Sequence, residues 1–387
     1  MFELLLFKLL NEKNHIYFEN LDTLRFFCFL SVFFFHSFFS EYNYILDDDV
    51  YIKTKGFFKN GMLGVNFFFV LSGFLITFLL LKEKEQTGKI SVKKFYIRRV
   101  LRIWPLFFFC VFFGFFLFPF FKQYFGESSH ETANLWAYLL FLNNFDIINN
   151  GFPDSSSLTV LWSVAIEEQF YLIWPLLMYF TPTKYYKFLL PLIVFFSLVF
   201  RISTDLSNYT ESNDFHTLSC INDMAIGGIG ALLILSSDSF KNTIIQMPRH
   251  FIALLYIILI ILFLYKDWLF DFTVFKPFER LLTASVFLLI ILEQTYSAKS
   301  LFKAGKIKIF SDLGKISYGL YCLHMIGILV TIKISDFLGY NQYLWVVIIG
   351  ETFMSLFISI LIAKISYKYL ETPFLKMKGK FSIIRTN

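Results

Sequence analysis

Leu21-Asp22-Thr23-Leu24-Arg25-Phe26-Phe27-Cys28-Phe29-Leu30-Ser31-Val32-Phe33-Phe34-Phe35-His36 is the first strongly apolar stretch of the chain, and ionisable side chains sit inside it. Eleven positions separate Arg25 from His36. At about 100° per residue that is three helical turns plus roughly 20°, so both side chains share one face, about 16 Å apart along the axis. A guanidinium near one membrane surface and an imidazole deep in the bilayer are costly to keep there, and intramembrane ionisable groups are functional candidates by default. The plainer accounts are an anchor that snorkels to the surface for Arg25, and an interior histidine bonded to a neighbouring helix for His36.

The composition supports a membrane setting. Of 387 residues 57% are hydrophobic, with 55 Phe and 21 Tyr, and only 17% are charged. A water-soluble domain cannot hide that much apolar surface, whereas a multi-span protein need not. Apolar runs of roughly 17 to 25 residues predict about ten transmembrane helices, at 21–40, 61–81, 103–121, 160–180, 188–204, 221–236, 251–265, 280–297, 316–335 and 342–365. An additional interfacial helix is expected over 135–145. The fold class is therefore all-α, a polytopic membrane helix bundle, read as one domain over 1–387 with its motif-bearing core at about 20–374.

Basic residues orient it. With the N-terminus inside, the inner segments hold 26 of the 35 Lys and Arg and the outer segments 7. The positive-inside rule then places both termini in the cytoplasm, as ten spans also require. The net charge of +6 reflects that placement and points to no nucleic acid. Cys28, Cys110, Cys220 and Cys322 are far apart and show neither metal spacing nor a disulfide framework, so no metal is expected. The apolar run Leu4 to Leu10 lacks a small-residue cleavage site, so no removable signal peptide is expected.

Three further stretches carry chemistry. In Trp162-Ser163-Val-Ala-Ile-Glu167-Glu168-Gln169-Phe-Tyr, two adjacent carboxylates lie at about the depth of His36. Adjacent positions point about 100° apart, so one of the two is expected to face the imidazole and steady its protonated form; a helix-start cap or interhelical glue is the bland reading. In Lys93-Lys-Phe-Tyr-Ile-Arg98-Arg99-Val-Leu-Arg102-Ile-Trp-Pro105, Arg99 and Arg102 share a helix face and suit phosphates, or anionic lipid headgroups. In Gly61-Met-Leu-Gly64-Val-Asn66-Phe-Phe-Phe-Val-Leu-Ser72-Gly73, the glycines suit close helix packing, and Asn66 and Ser72 are candidates to line a ligand tunnel. Later, Ser317-Tyr318-Gly-Leu-Tyr321-Cys-Leu-His324 places a second histidine, read as tunnel-lining or structural and nearer the inner side than His36. Glu371-Thr-Pro373 is read as the end of the last helix, and Glu351 is intramembrane with no partner legible in the sequence.

Taken in order, these motifs resemble the acyltransferase-3 family of bacterial membrane proteins, which includes O-antigen and peptidoglycan O-acetylases. The resemblance runs from about Asn20 to Phe374. It rests on Leu-Asp-x-Leu-Arg with a histidine eleven residues on, Gly-Val-x-Phe-Phe-Phe-Val-Leu-Ser-Gly-Phe, Arg-Arg-x-x-Arg-Ile-x-Pro, Trp-Ser-x-x-x-Glu-Glu-Gln-Phe-Tyr, Ile-Ser-Tyr-x-x-Tyr-x-x-His and Glu-x-Pro. The family's arginine–histidine pair matches Arg25 and His36, its Arg-x-x-Arg matches Arg99 and Arg102, and its acidic motif falls on Glu167, Glu168 and Gln169. Many relatives carry a further extracytoplasmic hydrolase-like domain, which is not expected here.

The resemblance implies a bacterial cytoplasmic-membrane enzyme that moves an acyl group, acetyl by default, from cytoplasmic acyl-CoA to a hydroxyl of a surface polysaccharide or lipid-linked glycan. Acyl-CoA is then a donor substrate, and no permanently bound cofactor is expected. On this reading Arg25, Arg99, Arg102 and Ser72 receive the donor. His36 acts as general base or is transiently acylated, and Glu167 or Glu168 supports it. Asp22, Asn66, Trp162, Ser163, Gln169, Tyr318, His324 and Glu371 are supporting residues. The alternative is a carrier that moves acyl groups or lipid-linked intermediates across the bilayer for a separate transferase.

Overall fold

Long runs of Phe, Leu and Ile interrupted by few glycines or prolines satisfy their backbone groups most cheaply as helices in an apolar setting. The computed structural model describes residues 18–206, 214–271 and 274–381, and no strand occurs among them. The run Leu4–Leu10 lies outside the described residues. Ten helices of 16 residues or more form the body: α1 (Glu19–His36), α2 (Leu63–Thr87), α3 (Val92–Phe112), α4 (Trp162–Phe180), α5 (Tyr186–Leu206), α6 (Thr217–Ser236), α7 (Arg249–Leu269), α8 (Glu279–Tyr296), α9 (Ser317–Phe337) and α10 (Glu351–Ser366).

Among the described residues, seven helical segments are long and apolar enough to cross a membrane, and they contain α2, α3, α5, α6, α7, α9 and α10. The remaining three long helices each carry ionisable residues. α1 carries Glu19, Asp22 and Arg25, α4 carries Glu167 and Glu168, and α8 carries Glu279, Arg280 and Glu293. Of these, Asp22, Arg280 and Glu293 are buried within the bundle. At the periphery, Phe188, Phe195 and Phe196 of α5 and Leu254, Ile257 and Ile260 of α7 are exposed, the pattern of a lipid-facing surface.

α2 is the axis of the packing. A Cβ added at Gly73 would fall 2.0 Å from the Met224 carbonyl oxygen, and one at Gly227 would fall 2.0 Å from that of Val70. α2 and α6 therefore meet backbone to backbone, as small residues permit in membrane bundles. On its other side, Gly64 admits the Cys28 carbonyl of α1.

Three boundaries differ from the sequence expectation. α1 stops at His36 instead of running to 40: Ser37 is extended and Phe38 is left-handed at φ 66°, an uncommon conformation for a bulky residue. The buried Tyr51 hydroxyl donates to the Phe38 carbonyl at 2.6 Å and helps hold this turn. His36 is thereby the terminal helical residue. Residues 135–145 form two short helices, Leu135–Leu139 and Asn143–Asn150, broken where Phe141 adopts φ 56°. Glu371-Thr-Pro does not end the last helix. α10 continues through a π turn, Tyr367–Glu371, into Thr372–Lys378, where Pro373 occupies the first turn, a position that needs no amide donor.

Candidate active site

Arg25 lies two turns inside α1, and Arg99 and Arg102 lie one turn apart on α3. The fold turns all three toward one cavity of about 190 Å³, bounded by α1, α2, α3, α4 and α9 and by the C-terminal helical extension. Lys378, from that extension, joins them. Four basic side chains thus line the space with two acidic ones, Asp22 and Glu167. Asp22 forms an ion pair with Arg25. The Arg99 guanidinium stands 5.3 Å from the Phe95 ring centre and 5.1 Å from that of Tyr171. Its buried Nε has no hydrogen-bond partner. Arg102 makes no hydrogen bond or ion pair among the described residues. A guanidinium stacked on two rings, with its donors unspent, is prepared for an anionic ligand.

The other end of the cavity is apolar, walled by Val65, Phe68, Phe69, Val164 and Tyr321. Its hydroxyls are tied down. The Ser72 hydroxyl donates to Glu167 at 2.6 Å and accepts from Tyr171 at 3.2 Å. Ser163 and Tyr321 share a hydrogen bond of 2.6 Å, and Tyr318 donates to the Ile103 carbonyl at 2.8 Å.

Beyond Tyr321 stands a pair of histidines. His324 is fully buried, with Phe29 and Phe33 against its ring. Its Nδ1 lies 2.7 Å from the Tyr321 carbonyl oxygen, and its Nε2 lies 3.1 Å from Nδ1 of His36. A carbonyl only accepts, so Nδ1 of His324 carries the hydrogen, and its Nε2 presents a lone pair when the ring is neutral. His36 must then donate from Nδ1, which leaves its own Nε2 as the basic nitrogen. The chain of bonds fixes the tautomer of His36 and orients its ring, the task the third member performs in nucleophile–base systems.

This geometry corrects the sequence reading in several places. Neither carboxylate faces His36: Glu167 accepts from Ser72, and Glu168 accepts from the Trp104 indole at 2.9 Å. No carboxylate lies within 4.0 Å of the His36 ring among the described residues. His324, placed nearer the inner side by the sequence, is the direct neighbour of His36. The cavity that holds the arginines stops at Tyr321 and Phe68, and His36 is not part of its wall. Asn66 does not line it either: it donates to Asp223 at 3.3 Å. Gln169 is spent on the Phe141 carbonyl and Asn144, at 2.7 and 2.8 Å. Trp162 packs edge-on against Phe69 and Phe215. Glu371 is buried beside Ser366 at 3.3 Å.

Two features escaped the sequence. One is Lys378, missed because Pro373 reads as a stop; Pro in a first turn equally permits a new helix. The other is a buried ion pair, Arg280 Nε to Asp223 at 2.9 Å, joining α8 to α6. Only the fold brings those two residues together, and no local spacing announces them.

The fold and site define a multi-pass helical membrane protein with a basic cavity leading toward a coupled histidine pair. The chain belongs to the family described as "Acyltransferase domain", whose model matches residues 18–364. It is similar to the peptidoglycan O-acetyltransferase OatA of Listeria monocytogenes, with 29% identity over 341 residues, covering 82% of this chain and 52% of that protein. It is also similar to the O-acetyltransferase OatA of Staphylococcus aureus, with 27% identity over 349 residues, covering 85% and 55%. The chain therefore spans about half the length of these curated relatives. No solved structure matches it.

Proposed function

We propose that this membrane acyltransferase takes an acyl group, acetyl first, from acyl-CoA on the cytoplasmic side of a bacterial cytoplasmic membrane. It passes the group to a hydroxyl of a surface polysaccharide or lipid-linked glycan outside. The observation that carries this reading is a single cavity, basic at one end and apolar at the other, whose apolar end abuts the residue holding the histidine pair. The excess of inner Lys and Arg supports placing the basic end and both termini in the cytoplasm.

On this reading the donor's phosphates engage Arg99, Arg102 and Lys378, with Arg25 held in place by Asp22. The pantetheine arm extends along the apolar end, where Phe68 and Tyr321 turn aside to admit the thioester to His36. The distance is of the right scale, since Arg25 and His36 are about 16 Å apart along α1. His36 Nε2 takes the proton of the acceptor hydroxyl as its oxygen attacks the thioester carbonyl. The C–S bond then breaks, the acyl oxygen ester forms, and the proton leaves with the CoA thiol. His324 accepts the Nδ1 hydrogen bond throughout and holds the ring of His36 in that tautomer.

Purified protein in liposomes tests the reaction against carriage. An enzyme releases free CoA and acylated acceptor together, and a carrier lacking its partner does not. Mass spectrometry of surface glycans from cells lacking the protein names the acyl group by the increment that disappears.

A further inference from the structure

We infer that Phe68, braced by Tyr321, determines which acyl group this protein accepts and limits it to short, uncharged chains. The inference rests on the transferase reading for the identity of the ligand as acyl-CoA, and goes beyond it in naming what selects the acyl group. Val65, Phe68, Phe69 and Ser72 recur at i, i+3, i+4 and i+7 of α2, which is one helical face, and all four line the cavity. The first three, with Val164 of α4 and Tyr321 of α9, close its apolar end. The whole cavity measures about 190 Å³, less than the roughly 300–1,000 Å³ of usual small-ligand sites. A pantetheine arm laid along it leaves room for only a small group beyond the thioester.

The parts of this wall are held with unequal firmness. The buried Phe69 ring has the Trp162 indole edge-on at 6.1 Å and the Arg280 guanidinium 5.7 Å from its centre, so it has no room to retreat. The Tyr321 hydroxyl lies 2.6 Å from that of Ser163, and the two lie 3.1 and 3.3 Å from the Val160 carbonyl oxygen. Each hydroxyl carries one hydrogen. One goes between the pair and the other to the carbonyl, so both are spent. Phe68 meets the Tyr321 ring edge-on, with centroids 6.2 Å apart, and is only half-buried. Phe68 is therefore the part of the wall that yields, and its ring sets how far an acyl chain extends.

The histidines stand directly behind this wall, since the Tyr321 carbonyl oxygen lies 2.7 Å from Nδ1 of His324. An acyl group on its way to His36 meets the wall with its tail. Acetyl requires little displacement. Each further methylene presses on Phe68 and Tyr321, and a packed apolar pocket discriminates against a misfitting methylene by roughly 10–200-fold. A terminal carboxylate, as in succinyl, meets apolar side chains and two hydroxyls with no hydrogen to give. A buried charge without a partner is costly, so the wall selects against charge as well as length.

The test titrates the full chain in nanodiscs calorimetrically with acetyl-CoA, hexanoyl-CoA and succinyl-CoA, with empty nanodiscs as the blank. We expect hexanoyl-CoA and succinyl-CoA each to bind at least about tenfold more weakly than acetyl-CoA. Phe68→Ala should raise the affinity for hexanoyl-CoA relative to acetyl-CoA about tenfold. It should leave succinyl-CoA as weak relative to acetyl-CoA as before, because the change adds apolar space and no donor. A merely structural loss moves all three donors together and leaves both ratios fixed. If Phe68→Ala fails to fold, Val164→Ala trims the same wall and carries the same expectation with a smaller gain. Hexanoyl-CoA or succinyl-CoA binding as tightly as acetyl-CoA, or a hexanoyl-to-acetyl ratio unchanged in the folded variants, overturns the inference and leaves the transferase reading standing. The expected binding pattern without any acyl transfer rejects the transferase reading and leaves the selection of acyl groups standing.

Discussion

His36 Nδ1 stands 3.1 Å from His324 Nε2, and His324 in turn is anchored through Nδ1 to the Tyr321 carbonyl. The sequence suggests one of Glu167 and Glu168 as the partner of His36, and the structure supplies a second imidazole. His36→Ala should lower acyl transfer by at least about 10²-fold, the lower bound for general acid–base catalysis. His324→Ala should cost about tenfold or more, and His324→Gln, whose amide oxygen can accept from Nδ1, should retain more activity than alanine. Turnover per folded protein, with membrane insertion confirmed, checks this. Equal activity of the alanine and glutamine variants would argue against the hydrogen-bonded role.

Arg99, Arg102 and Lys378 should act on donor affinity. A hydrogen bond to a charged group is worth about 1.5–3 kcal/mol, so Arg102→Gln and Lys378→Gln should each raise the acyl-CoA KM tenfold or more, with less effect on kcat. Lys378→Arg should preserve most of the affinity, since charge is the requirement there. Comparing acyl-CoA with its form lacking the ribose phosphate identifies which cation meets that group. The cation concerned should lose its effect on the dephosphorylated donor.

The backbone contact of α2 with α6 should tolerate no added volume. At Gly227 a Cβ meets the Val70 carbonyl oxygen at 2.0 Å, and backbone cannot step aside as a flexible side chain can. Overpacking of this kind costs about 1–3 kcal/mol or more. Gly227→Ala and Gly73→Ala should therefore both lower the melting temperature in detergent. Gly379→Ala, where a Cβ meets nothing within 4 Å, serves as the control and should leave it unchanged.

The Asp223–Arg280 pair should behave as a unit. Removing one partner strands a buried charge and typically costs about 3–5 kcal/mol. Asp223→Ala and Arg280→Ala should each depress yield and thermal stability, whereas the double change to apolar residues of similar volume should recover much of the loss. Asn66→Ala, which removes one donor to Asp223, should cost less than either. Thermal unfolding of the purified variants decides the order.

The sequence by itself determined the helical class, the places of the long apolar segments, the asymmetry of basic residues and the shared face of Arg25 and His36. These follow from composition and from helical periodicity, which act locally. It also located Arg99, Arg102, Ser72, Ser163 and Tyr318, all of which the fold brings to one cavity. Only the tertiary structure decided which groups meet across helices. It paired His36 with His324 rather than with a glutamate, sent Asn66 to Asp223, and carried Lys378 past Pro373 into the cavity. Rotation and depth of each helix are set by packing, here by glycines that let α2 touch α1 and α6, and a small rotation or slide about those contacts changes every interhelical partner.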